Sequence, residues 1–212
     1  MKLGLGFAMQ NVTDDNLRAA AQLGVTHAFV NNADVGNSHF EFDQLLRLRH
    51  RCEYMGLQLA GLENFPRSWW EDVLTAGPRR DEQIDNVCHS IENMGRAGIG
   101  ILGYYFSIVG VWGHWRAYTA GGGRGDAGLK SFDYSKVEHA PTHPAGPVSV
   151  DEMWERLHYF LERVIPVAES ADVRLAAHQD DPPAQYLRGV GRLLTSHDAM
   201  QKMLDLVPSH HS

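Results

Sequence analysis

Cysteine is scarce in this sequence: 212 residues contain two, Cys52 and Cys88. Both fall inside helical patterns, which suits free, partly buried thiols, argues against a disulfide framework and points to a reducing cytoplasm. Long apolar runs are lacking too. No segment approaches the roughly 20 apolar residues of a membrane span, so no membrane partner is expected. The opening stretch, MKLGLGFAMQ, is one lysine followed by a glycine-broken apolar run, too short for a signal-peptide core and without a cleavage pattern. Positive charge is in deficit, with 19 Lys and Arg against 26 Asp and Glu and a net charge of -7. No basic cluster is available to neutralise phosphates, and nucleic acid is therefore not an expected partner.

What is present is an alternation. Hydrophobic residues make up 43% of the chain, enough for a sizeable core. Short apolar runs read as strands at Leu3 to Phe7, His27 to Asn31, Leu57 to Glu63, Ile99 to Phe106 and Val173 to His178. Amphipathic patterns between and after them predict helices at Asp14 to Leu23, Phe42 to Met55, Arg80 to Ala97, Val150 to Ser170 and Ser196 to Leu206. In the fourth, Met153, Trp154, Leu157, Phe160, Leu161, Val164 and Ile165 recur at three- and four-residue steps, and Ser149 with Glu152 forms a capping box at its start. Pro166 is a discord, expected to kink or end that helix.

The segments QLGV, YMGL and RAGI each set a glycine between a helix and the next strand, where a left-handed cap is wanted, and SADV takes the same place before the fifth strand. Such βα units with short connections force parallel strands. The glycines, at 24, 56 and 98, are too unevenly spaced for a solenoid. Two architectures remain, an open doubly wound sheet or a closed (β/α)8 barrel. The first βα connection lacks a G-x-G-x-x-G cradle, which counts against dinucleotide binding on an open sheet. Polar residues gather where strands end, as in a barrel's active site: Asn31 and Asn32, Glu63 and Asn64, Tyr104 and Tyr105, then His178 with Asp180 and Asp181. The expectation is one α/β domain over residues 1–212, a partial (β/α)8 barrel of five βα units with outer helices, interrupted by a long glycine-rich loop near 107–148.

His178 stands near a strand's carboxyl end with two aspartates after it. It could ligate a divalent metal while an aspartate orients a ligand, or it could be a hydrogen-bonded histidine beside a solvated acidic turn. Glu63 would face the same mouth as base, metal ligand or sugar-hydroxyl acceptor, or be an exposed carboxylate at a loop start. In GYYFSIVGVWGHWR, Arg116 could pair with a substrate carboxylate while Trp112 or Trp115 excludes water, although tryptophans are more often core. Arg124, in the glycine loop, is a second possible anion contact or a solvated loop residue. No Gly-Lys-Ser/Thr follows that loop, so it reads as a lid rather than a phosphate cradle.

The segments MKLGLGF, LENF (62 to 65), GPRRDEQIDN (77 to 86), GYYFSIVGVWG (103 to 113) and RLAAHQDDPP with LRGVGRLL after it resemble the mannonate dehydratases, a family of xylose-isomerase-like barrels. The match runs over nearly the whole chain, with H-x-D-D-P-P its most specific part. The resemblance implies a lyase that removes water from D-mannonate to give 2-keto-3-deoxy-D-gluconate in hexuronate (glucuronate) breakdown. It implies a divalent metal, usually manganese, and a small sugar acid as partner. The family's metal histidine on the fifth strand maps onto His178; its cysteine, second histidine and aspartate, with the acid and base, come from later strands and would lie beyond Ser212. Arg116 would hold the acid group, Asp180 and Asp181 would grip hydroxyls or steer His178, and Glu63 and Tyr105 would complete the substrate pocket. Gln179 stands where the family usually has proline, Tyr105 where asparagine is common, and the stretch from Ser131 to Ser149 is shorter than in relatives. The chain thus reads as the front part of a longer, homo-oligomeric enzyme, inactive and unstable or oligomeric alone. A sugar isomerase or epimerase of the same barrel class, or a noncatalytic remnant, is the alternative.

Overall fold

The alternation of patterns becomes a five-stranded parallel sheet. Its strands are β1 (Gly4–Ala8), β2 (His27–Asn31), β3 (Gln58–Glu63), β4 (Ile101–Tyr104) and β7 (Arg174–Ala177), in the spatial order β1-β2-β3-β4-β7. The structure is a computed structural model that describes residues 1–113 and 128–212 in full and the backbone alone of 115–117. Each of the five expected strands lies within two residues of its place in the sequence reading. The register pairs Ala8 with Asn31, Asn31 with Glu63, Glu63 with Gly103 and Tyr104 with Ala177. All five strands run the same way, so their carboxyl ends share one edge of the sheet. That edge is where the polar residues of the sequence collect.

Helices α1 (Asp14–Gln22), α2 (Phe42–Tyr54), α4 (Arg80–Arg96), α5 (Val150–Ala171) and α6 (His197–Leu206) occupy the predicted places. Thr13 caps α1 by accepting from the Asn16 amide, and Ser196 caps α6 by accepting from the Ala199 amide. The α5 capping box forms as read, the Ser149 hydroxyl accepting from the Glu152 amide while the Glu152 carboxylate accepts from the Ser149 amide. The predicted apolar face of α5 is buried and continues to Ala168. At the helix ends Gly24, Gly56 and Gly98 take φ of 87°, 82° and 70°, and Asp172 adopts the same left-handed turn at 52°.

Three features depart from expectation. Pro166 does not end α5, which runs on to Ala171; both Pro166 and Glu162, whose carbonyl loses its partner, face solvent, where water can replace the missing bond. A further helix, α3 (Arg67–Thr75), follows Pro66 directly, and it is broken at Trp70, whose φ of -145° is not helical. The long loop also contains structure: a two-stranded antiparallel ribbon of β5 (Trp115–Ala117) and β6 (Leu129–Ser131).

Trp70, fully buried, ties α3 to the sheet and to α5. Its ring stands edge-on to Tyr105 at 5.3 Å and meets Phe65, Phe106 and Phe160 at 5.9, 6.3 and 6.4 Å. This aromatic cluster sits under the carboxyl end of β4 and fixes one wall of the site.

Past β7 the chain makes a second small hairpin, β8 (Tyr186–Leu187) with β9 (Val190–Gly191). The hairpin grips the end of the long loop. The His143 amide donates to the Arg188 carbonyl, the Val148 amide to the Gly189 carbonyl and the Gly191 amide to the Val148 carbonyl. The Arg188 Nε donates to the Pro141 carbonyl, and its guanidinium lies 5.1 Å from the Trp112 ring centroid.

Candidate active site

A cleft of about 350 Å³ opens at the carboxyl edge of the sheet. The ends of β2, β3, β4 and β7 all reach it, and β6 adds one residue from the side.

Asn32 and Asn64, each the first residue past a strand, take positive φ of 50° and 64°. The Asn32 amide donates to the Glu63 carbonyl and the Asn64 amide to the Gly103 carbonyl, both at 2.8 Å, so pairing continues one step past the strands before the chain turns out. Asparagine tolerates this left-handed conformation better than most residues, and such positions cluster at functional sites. The Asn64 Oδ1 is buried with no partner among the described residues.

Glu63 ends β3 and lines the cleft. Its stem is accommodated because its neighbour on β4 is Gly103, where a Cβ would stand only 3.1 Å from the Glu63 Cγ. Tyr105 lines the cleft with its ring braced by Trp70.

His178 follows β7 directly, and its amide donates to the Tyr104 carbonyl at 2.7 Å. The ring is exposed to the cleft, with Nδ1 2.6 Å from the Gln179 carbonyl oxygen. A carbonyl can only accept, so Nδ1 donates to it and Nε2 is left facing outward, which in the neutral ring is a lone pair able to ligate a metal. Among the described residues, no group of three or more His, Cys, Asp or Glu is arranged to hold a metal ion.

Asp180 is buried, with both oxygens engaged internally. Its Oδ2 accepts from the amides of Leu193 and Leu194 at 2.9 Å, and its Oδ1 lies 3.0 Å from the Arg192 guanidinium. The Asp180 amide donates back to the Leu194 carbonyl. Arg192, with 1% of its side chain exposed, also donates to the Gly110 carbonyl at 2.9 Å. Burial pulls its guanidinium below the ordinary value, and Asp180, then Asp181, push the other way. Asp181 is half-buried at the cleft, 3.6 Å from the Lys130 ammonium on β6.

Glu63, Tyr105, His178, Asp180 and Asp181 therefore share one cleft. The expected Arg116 lies on the backbone of β5, in register with Lys130, and its side chain lies outside the described residues, as do Trp115's side chain and Arg124 altogether. Lys130 and Arg192 escaped the sequence reading. Lys130 is a lone lysine after a glycine-rich stretch and carries no signal of its own. Arg192 sits in the segment LRGVGRLL, and only the fold-back of β8 and β9 reveals that it faces Asp180. Among the described residues no helix is long and apolar enough to cross a membrane.

The family model described as D-mannonate dehydratase (UxuA) matches residues 4–145 and 143–212. A curated mannonate dehydratase of Streptococcus pneumoniae (strain 70585) is 29% identical over 223 residues, covering 95% of this chain and 60% of that protein. The crystal structure of the mannonate dehydratase of Streptococcus suis serotype 2 superposes with a TM-score of 0.80 at 27% identity, covering 100% of this chain and 62% of that one. D-Psicose 3-epimerase of Clostridium cellulolyticum H10, at 14% identity and a TM-score of 0.60, shares the fold. The chain spans about 60% of the length of the curated relative it matches. The five parallel strands accordingly correspond to part of a xylose-isomerase-like (β/α)8 barrel.

Proposed function

The chain belongs to the D-mannonate dehydratase (UxuA) family, and from that premise we propose that its cleft is the front part of a lyase site that removes water from D-mannonate to give 2-keto-3-deoxy-D-gluconate. One observation carries this reading: three strand ends, those of β3, β4 and β7, deliver Glu63, Tyr105, His178 and Asp181 to one cleft in a chain of this family. The whole reaction also needs the parts of the relatives that the chain does not span.

A proton alpha to a carboxylate is barely acidic, so the site must stabilise negative charge as that proton leaves and must supply a proton to the departing hydroxyl. His178 would give its Nε2 to a divalent cation, manganese by the family resemblance. When bound, that cation would supply Lewis-acid polarisation of the substrate. Glu63 accepts a sugar hydroxyl, and Tyr105, held rigid by Trp70, donates to another. Arg116, on the ribbon, contributes positive charge. Of the two roles open to Asp180, its engaged oxygens favour steering the His178 loop over gripping hydroxyls, which leaves Asp181 for the substrate.

The test is a 2-keto-acid release assay on the full-length gene product with D-mannonate and a series of divalent metals. Metal-dependent turnover is expected, with His178→Asn lowering it at least about 100-fold, on the scale of losses seen when a metal site is disturbed. No turnover with any divalent metal would overturn the reading.

A further inference from the structure

The ion pair between Lys130 and Asp181 bears on which ligands the cleft accepts. Among the described residues the cleft is lined by two Lys or Arg side chains, Lys130 and Arg192. Arg192 is sealed and committed, holding Asp180 and the Gly110 carbonyl with 1% of its side chain exposed. Lys130 is 57% exposed and stands on the ribbon at the cleft's side. Its 3.6 Å approach to the Asp181 Oδ2 exceeds the roughly 2.7–2.9 Å of a charge-assisted hydrogen bond, so this contact does not use up the ammonium's donors. A long contact with an exposed ammonium is weak and easily exchanged.

An anionic ligand entering this cleft meets the carboxylates of Glu63 and Asp181, a repulsion that some cation has to offset. We propose that Lys130 determines specificity for the substrate's carboxylate: its ammonium turns from Asp181 to the acid group of the incoming sugar acid. The assignment deepens the reading of the cleft as a sugar-acid site and rests on it. It predicts discrimination for aldonates over neutral sugars of the same length, since the cost of leaving Asp181 is recovered only by another carboxylate.

Calorimetric titration of D-mannonate into the wild-type protein, Lys130→Met and Lys130→Arg, each at low and high salt, tests this apart from turnover. Lys130→Met should weaken binding about tenfold and flatten its salt dependence, and Lys130→Arg should restore most of both, because a charged hydrogen bond to carboxylate is of that order. Unchanged melting of the variants would separate this from misfolding. Equal affinity and equal salt dependence in wild type and Lys130→Met would overturn the assignment, as would failure of the arginine variant to recover either. Binding with this charge dependence but without turnover would uphold Lys130 and sink the dehydratase reading alone.

Discussion

Adjacent carboxylates at Asp180 and Asp181 occupy different electrostatic surroundings although nothing in the sequence separates them. Asp180 lies with Arg192 in a water-excluded pocket, satisfied by two amides and a guanidinium, whereas Asp181 faces the cleft and an exposed ammonium. Removing one member of a buried pair strands the other charge, so Asp180→Ala should lower unfolding free energy by about 3–5 kcal/mol. Asp181→Ala should cost less, because Asp181 is only partly buried and opens onto the cleft. Urea denaturation of both variants measures the contrast, and equal losses would contradict it. The run HQDDPP was legible as a cluster of ionisable residues at a strand end, and the structure places His178, Asp180 and Asp181 along the cleft. Which aspartate serves the fold was not legible, since that depends on Arg192, twelve residues beyond Asp180 and returned to it by a hairpin.

Helix α5 was the most readable element because its apolar residues, cap and length all agree. Its capping box has a pH signature. The Ser149 amide, and then the Ser149 hydroxyl, hold the Glu152 carboxyl below its ordinary value of 4.5. A depressed folded pKa contributes stability above the unfolded value and loses it as pH falls through the folded one. The stability difference between wild type and Glu152→Gln should therefore be full above pH 4.5 and shrink as pH falls further below it. Thermal melts at stepped pH read this directly, and a difference constant down to strong acid would refute it. Helix α3 was hidden for the opposite reason. It has nine residues, begins at a proline and is broken at Trp70, so it presents no clean period, and the aromatic cluster supplies its stability instead. The ribbon of β5 and β6 escaped for want of alternation in three-residue strands.

At the scale of the molecule, the open sheet has two edge strands, β1 and β7. The Leu175 amide of β7 donates to the His211 carbonyl at 2.7 Å, which covers one position of that edge. Just before β1 and within it, Leu3 and Leu5 are 54% and 43% exposed. Unpaired edges with apolar neighbours invite strand addition. The 212-residue chain should accordingly self-associate, with light scattering after gel filtration giving a mass above 23.7 kDa, and Leu5→Lys should reduce it. A monodisperse wild-type monomer would refute this. Parallel strands and their order were legible in the βα rhythm, because short connections leave few topologies. The state of the edges was not, because pattern reports which face is buried and says little about which rim is paired.

The clasp formed by β8 and β9 also bears on how such proteins diverge. Because residues 141–148 are stitched to 188–191, an insertion or deletion within either stretch shifts the other out of step. A length change before Pro141 leaves those stitches in place. Drift in loop size should therefore be inherited upstream of that proline, while the two stitched stretches keep their lengths together.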